Sequence, residues 1–451
     1  MRTSSRRPAR LRHTLSAAMG LLLWGIATVP AHAETVREQQ WHLDAMHAEE
    51  MWETTTGRGI TVAVIDSGVD KNIADLRGQV LDGVDYSGLE GDEHTDQEGH
   101  GTSMAALIAA TGARGKTNGS YGLAPGVKIL PIKMPYATGG FGLKTRYSEN
   151  LVKAIRFAAD SEAQVINVSM GSANTPRRKD VSTPELTAAV KYALGKDKLI
   201  FAAAGNSGDV TNAIEYPAAT PGVVGVAGVD QKAKPVKNSQ FGPQVDLAAP
   251  AKDIVNACAG GTQICSGTGT SSATAIASAS AALIWSRHPD WTNNQVLRVL
   301  MQTASGNEKG LSRDDVVGYG VVHPRIALKN PGNPGPADKY PLPDFTYEGA
   351  KAPSPESPKA SDADARPSTA PVASDDDSSA TPLWIAAGIG AAVVLGTTVA
   401  IPVIRNRRRT APPTPAAAAP HPYGVGQPYD VQPPLPPNTA PHNRNRSNGG
   451  T

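Results

Sequence analysis

The sequence is poor in several things, and each shortage narrows what the chain can be. Its 451 residues hold only two cysteines, Cys258 and Cys265. Two thiols without suitably spaced histidines nearby do not make a metal site. Outside the cytoplasm such a pair reads most simply as a disulfide, here closing a short glycine-containing loop just before Gly267. Excess charge is also missing. Lys and Arg number 43 against 41 Asp and Glu, a formal net charge of +2. That balance gives no electrostatic footprint for nucleic acid. There is no internal repeat, and no cofactor-binding pattern emerges.

Proline and glycine are present in quantity, 37 and 45 residues, and they concentrate late in the chain. One large domain followed by a low-complexity remainder fits this distribution better than two or three domains inferred from length. The N-terminus has the plan of a signal peptide over residues 1–33. Arg2, Arg6, Arg7, Arg10 and Arg12 precede an apolar stretch from Leu15 to Val29, and Ala31-His32-Ala33 supplies a small-residue cleavage site. The mature chain is expected to begin near Glu34, outside the cytoplasm. Residues 34–58 form an N-terminal extension too short to fold alone, with one helix expected to place Ala45, Ala48 and Trp52 on a common face.

A second apolar run, residues 383–404, contains no charged side chain and is long enough to span a bilayer. Asp375-Asp376-Asp377 precedes it, and Arg405, Arg407, Arg408 and Arg409 follow. The positive-inside rule places the tail, 405–451, in the cytoplasm and the rest outside the cell membrane. Residues 331–382, rich in Pro, Ser, Ala and Asp, read as a disordered linker.

The remaining domain, 59–330, alternates strand and helix patterns. Buried-strand runs occur at Ile60–Asp66, Val127–Met134, Gln164–Gly171, Leu199–Asn206 and Gly222–Val229. Helical patterns lie between them, at Glu149–Ala159 and Pro184–Leu194, and Thr292 to Gln295 forms a capping box after the last of the strands. Such alternation implies crossover units and a mainly parallel sheet. Chemistry-bearing side chains should then collect at the carboxyl ends of strands.

Four segments put polar groups at those positions. Asp66 ends the first strand, as either a site carboxylate or a turn former. His100, between Gly99 and Gly101, opens a helix of small apolar residues. Asn206 ends the run Ala202-Ala203-Ala204-Gly205. Ser271 sits where Gly267-Thr268-Gly269-Thr270 turns into the uncharged segment up to Trp285, as either a helix cap or a nucleophile. Acyl transfer needs this set. A serine hydroxyl requires a base near neutral pKa, the base requires a carboxylate to hold its tautomer, and the oxyanion requires donors. Asn206 and the Ser271 backbone N–H are the candidate donors. The acidic loop with Asp82, Asp85, Asp92, Glu93 and Asp96 reads as solvated.

Taken together, Val64-Ile65-Asp66-Ser67-Gly68, Gly99-His100-Gly101-Thr102, Ala203-Ala204-Gly205-Asn206 and Gly269-Thr270-Ser271 resemble the motifs of the subtilisin-like serine proteases of the S8 peptidase family, in their order Asp, His, Ser. The resemblance implies a subtilisin-like α/β three-layer sandwich with a central, mainly parallel sheet. It implies Asp66, His100 and Ser271 as catalytic residues and Asn206 as oxyanion donor. Ser169, Met170 and Gly171 would pair with an extended substrate as an added strand. Ala203 and Gly205 would line one wall of the first specificity pocket, whose base the motifs do not identify. Calcium sites are common in such proteins, but the sequence assigns no ligands and no metal. The family pattern places proline where this chain has Ala275, a position expected to start the helix.

The layout of signal peptide, protease domain, Pro-rich linker, single span and short tail resembles the mycosins, membrane-anchored proteases associated with type VII secretion. The resemblance implies a protein or peptide substrate, attachment to the cell membrane through one helix, and membrane components of a secretion system as partners. The competing expectation is a structural scaffold in such a complex, with proteolysis secondary.

Overall fold

The computed structural model describes residues 34–135, 147–174, 181–305 and 311–345. The expected signal peptide, the apolar run 383–404, the tail and most of the linker lie outside these residues. Among the described residues no helix is long and apolar enough to cross a membrane.

The strands in chain order are β1 (Thr61–Asp66), β2 (Val84–Asp85), β3 (Lys128–Lys133), β4 (Val165–Val168), β5 (Ser172–Ala173), β6 (Leu199–Ala203), β7 (Glu215–Tyr216), β8 (Val224–Val229), β9 (Leu247–Pro250), β10 (Ile254–Ala257) and β11 (Ile264–Gly267). Seven of them form one sheet in the order β2-β3-β1-β4-β6-β8-β9, and every adjacent pair is parallel. β5 with β7 and β10 with β11 form two separate antiparallel ribbons. Val62, Ala63, Val64 and Ile65 are all buried, so both faces of β1 are covered. That explains a strand written as a continuous β-branched run rather than an alternating one.

Helices supply the cover. Tyr147–Asp160 and Pro184–Gly195 pack on each other, as do His100–Ala109 and Thr270–Arg287, and the last runs along β4, β6, β8 and β9. It can lie so close because its residues from Ser272 to Trp285 are small or apolar and buried. Parallel register then fixes the functional edge. Ile65 lies opposite Val168, and Val168 opposite Ala202. The carboxyl ends of β1, β4 and β6 are therefore neighbours, with Asp66, Ser169 and the Ala203–Asn206 turn side by side.

Three expectations change. The N-terminal extension holds two helices over the expected single one, Trp41–Ala45 and Ala48–Thr54, because His47 takes a left-handed conformation (φ 56°) between them. Leu43, Met46, Ala48 and Met51 are among its buried side chains, while Trp52 is only part-buried. The Pro-rich stretch after residue 330 begins as part of the domain. Arg298 donates to the carbonyls of Pro334, Pro336 and Lys339, Asn294 donates to that of Ala337, and Tyr340 and Leu342 are buried. Bulk composition hid this, since proline carbonyls still accept hydrogen bonds and two apolar side chains suffice to seat the segment. Finally, the helix starts at Thr270, so Ala275 belongs to its second turn and does not open it. Alanine there continues the helix without strain.

Candidate active site

Asp66 is fully buried at the end of β1. Its Oδ1 accepts from the Ser67 amide at 2.8 Å and from His100 Nδ1 at 2.7 Å. A carboxylate only accepts, so the ring proton sits on Nδ1 and the neutral imidazole keeps its lone pair on Nε2. Asp66 Oδ2 is buried and accepts no hydrogen bond from the described residues. Burial pushes the His100 pKa down, but the charge and hydrogen bond of Asp66, with the charges of Asp96 and Glu98, push it further up, and the net shift is upward.

His100 is the first residue of its helix, whose N-cap is Gly99 in a left-handed conformation (φ 73°). Gly101 lets this turn meet β1. A Cβ there would stand 2.2 Å from the Gly68 carbonyl oxygen. The turn is held by Asp96. Its Oδ1 accepts from Ser67 Oγ (2.8 Å) and the Gly99 amide (2.9 Å), and its Oδ2 from the Thr102 amide (2.8 Å) and Thr102 Oγ1 (2.6 Å). Ser67 Oγ in turn accepts from the Gly101 amide at 2.9 Å. Asp96 thus ties the end of β1 to the first turn of the His100 helix and satisfies its free amides. The reading of this loop as a solvated acidic run is corrected for Asp96. Its spacing ahead of Gly99-His100, an acid just upstream of a helix start, was the available signal.

Ser271 is the second residue of the Thr270–Arg287 helix, where its backbone N–H has no acceptor within the helix. Its hydroxyl donates to the Ser169 carbonyl at 3.0 Å, and Ser169 Oγ donates back to the Ser271 carbonyl at 3.1 Å. Behind them, Asn167 Nδ2 donates to Ser169 Oγ (2.9 Å) and Ser278 Oγ donates to Asn167 Oδ1 (3.0 Å), with Asn167 and Ser278 fully buried. This polar chain fixes β4 against the Ser271 helix, and the motifs gave no sign of it.

Asn206 is exposed, and its Oδ1 accepts from the Thr270 amide (2.9 Å) and Thr270 Oγ1 (3.2 Å). A backbone amide can face only an acceptor, so the orientation of the side-chain amide is set and Nδ2 carries its two hydrogens elsewhere. Ala203 and Gly205 stand at the end of β6, and Gly205 (φ 117°) donates to Thr270 Oγ1 at 3.2 Å. Met170 is buried, and Gly171 is exposed at the start of the β5 ribbon. Cys258 and Cys265 are bonded, with Cα atoms 5.9 Å apart, across the β10–β11 hairpin. β11 runs directly into Gly267 and the Ser271 helix.

Among the described residues, Asp82, Glu93 and His94 form the one group of metal-capable side chains whose ligand atoms lie within 4.8 Å of one another. His94 Nε2 stands 3.4 Å from a carboxylate oxygen of each of the other two.

The parallel-sheet α/β scaffold sets a buried carboxylate on an imidazole at the end of β1, and at the end of the neighbouring strand β4 the Ser169 carbonyl accepts from Ser271 at its helix start. The sequence model of the Subtilase family matches residues 57–320, and the chain belongs to that family. Mycosin-1 of Mycobacterium tuberculosis is 31% identical over 346 residues, 66% of this chain and 74% of that protein. A thermostable alkaline protease of Halalkalibacterium halodurans is 34% identical over 267 residues, 59% of this chain and 67% of the relative. The chain spans 60% and 61% of the length of two further relatives of similar identity, both from Bacillus. The solved structure of the MycP3 protease from the type VII (ESX-3) secretion system is 34% identical, covers 64% of this chain and 87% of its own, and superposes with a TM-score of 0.55. The chain is a mycosin-like, subtilisin-type serine protease.

Proposed function

We propose that this protein is a membrane-anchored, extracytoplasmic serine endopeptidase acting through Asp66, His100 and Ser271, in association with a type VII secretion system. The observation that carries the mechanism is the 2.7 Å bond between buried Asp66 and His100 Nδ1, at the end of the strand next to β4, whose Ser169 carbonyl accepts from Ser271 Oγ. The anchor rests on the apolar run 383–404 and its arginine flank. The secretion link rests on the likeness to Mycosin-1 and to the MycP3 protease of a type VII system.

In the mechanism, an extended peptide lies along Ser169–Gly171 and brings its carbonyl to Ser271. The Ser271 hydroxyl has one hydrogen, which it gives to the Ser169 carbonyl in the resting state. Attack requires that hydrogen to turn to His100 Nε2. His100 takes it as Oγ bonds to the carbonyl carbon, and Asp66 stabilises the imidazolium. The oxyanion receives hydrogen bonds from Asn206 Nδ2 and the Ser271 amide. His100 then protonates the leaving amine, and water, deprotonated by the same ring, releases the acyl group.

The test is hydrolysis of a quenched fluorogenic peptide library by the full chain. Ser271→Ala and His100→Ala should each lose at least about 10⁴-fold in kcat. Asn206→Ala should lose about 10²–10³-fold, the loss that removal of an oxyanion donor causes in subtilisin itself. Retained hydrolysis by Ser271→Ala would overturn the proposal.

A further inference from the structure

The segments that flank the substrate path, 169–171 and 203–205, are connected behind their glycines by two side chains from elsewhere in the chain. Glu215 opens β7 and pairs with Ala173 of β5. Its side chain crosses the ribbon to the Cα of Gly171, where a Cβ would stand 2.5 Å from Glu215 Oε2. Gln240 fills the equivalent gap at Gly205, where a Cβ would stand 2.3 Å from Gln240 Nε2. Gln240 Nε2 donates to Glu215 Oε1 at 2.8 Å and to Ser207 Oγ at 2.7 Å. A continuous bridge therefore runs from Gly171 through Glu215 and Gln240 to Gly205. Any larger residue at either glycine would displace it.

The bridge holds one acceptor without a donor and one carboxyl without a cation among the described residues. Gln240 is fully buried, and its Oε1 has no hydrogen-bond partner among the described residues. Glu215 is part-buried and forms no ion pair among the described residues, and its carboxyl accepts a hydrogen bond from Gln240 Nε2. Burial pushes its pKa up, against the hydrogen bond from Gln240. A half-buried carboxyl without a cation is a costly group to maintain. A ligand that brought a positive charge between Gly171 and Gly205 would relieve that cost.

We propose that Glu215 is the specificity residue of the substrate cleft, and that its carboxylate selects peptides with lysine or arginine at the residue whose carbonyl is attacked. The inference rests on the endopeptidase reading above and deepens it by naming the substrate class. No side chain larger than a methyl stands at Gly171, Ala203 or Gly205, the positions past which a long substrate side chain would reach the carboxylate. An uncharged side chain of similar length fills the same space but leaves Glu215 unpaired. An acidic one meets like charge.

The experiment compares kcat/KM of the full chain on peptides that differ only at this position, with Lys, Arg, Met or Glu. The native protein should prefer Lys and Arg over Met by at least about tenfold. Glu215→Gln, which keeps the shape and the acceptor for Gln240, should cut the Lys-to-Met ratio by about tenfold or more. Glu215→Lys should raise the ratio of Glu to Lys. Because ratios are read, a variant that merely folds less well lowers all peptides together and leaves them unchanged. Labelling of Ser271 by a phosphonate with an uncharged side chain runs in parallel. If Ser271 is labelled and peptides are cut without preference for Lys or Arg, or the ratio survives Glu215→Gln, the inference falls while the protease reading stands. If no peptide is cut and Ser271 is not labelled, both fall.

Discussion

Replacing Asp96 by alanine tests how the imidazole is held. Asp96 accepts four hydrogen bonds from the end of β1 and from the first turn of the His100 helix. Loss of a helix cap alone costs about 1 kcal/mol. The hydroxyls of Ser67 and Thr102 can turn towards other acceptors, but the Gly99 and Thr102 amides cannot. A buried donor left without a partner costs roughly 1–3 kcal/mol, and Thr102 is fully buried. Two such amides give about 2–6 kcal/mol, a large part of the 5–15 kcal/mol by which most domains are stable. Urea unfolding in a Ser271→Ala background, which prevents self-cleavage, should show that loss for Asp96→Ala and a smaller one for Asp96→Asn, which keeps one acceptor oxygen. In the active background the pH profile should also move. His100 is held above its ordinary pKa of 6.5 in part by the Asp96 charge. The base must be neutral to act, so the acid limb of kcat/KM should lie above pH 6.5 and shift downwards in Asp96→Ala. An unfolding midpoint within about 0.5 kcal/mol of the parent, with an unmoved acid limb, would refute the reasoning.

Two further outcomes follow from buried polar groups. His42 is fully buried, both ring nitrogens lack partners, and burial followed by the Arg37 charge lowers its pKa from 6.5 to about 3. The unfolded chain binds this proton first, so stability should fall as pH drops from about 6.5 towards 3, by at most about 5 kcal/mol at ~1.4 kcal/mol per unit. His42→Leu should flatten that limb of a urea-midpoint-against-pH curve, and an unchanged slope would count against it. Asn167→Ala breaks the chain from Ser278 to Ser169 and should cost roughly 2–3 kcal/mol while lowering kcat more than it changes KM. A change in KM alone would show that the chain does not position Ser271.

Much of the fold is legible because a parallel sheet buried on both faces writes each strand as a run such as Val62–Ile65, and places chemistry at its end. Asp66, His100, Asn206 and Ser271 can be picked out for that reason, and the cysteine pair lies near enough in sequence to suggest its own bond. What stays hidden depends on contacts between distant segments. Asp96 shows in sequence only as an acid ahead of a helix start, and its hold on Ser67 appears once the chain is folded. Asn167 sits in an apolar strand, and its partner Ser278 lies in another element altogether. Glu215 carries no local pattern, and only its place behind Gly171 gives it meaning. The segment 331–345 reads as linker because Tyr340 and Leu342 are diluted by proline around them.

The central claim is that Ser271 is a nucleophile activated by the Asp66–His100 pair. Reaction of the full chain with a serine-directed phosphonate, followed by peptide mapping at several pH values, tests it most directly. The account predicts a single adduct on Ser271, forming faster as His100 loses its proton and slowed at least about 10³-fold in Asp66→Asn. An adduct on another residue, or none on folded protein, would contradict it.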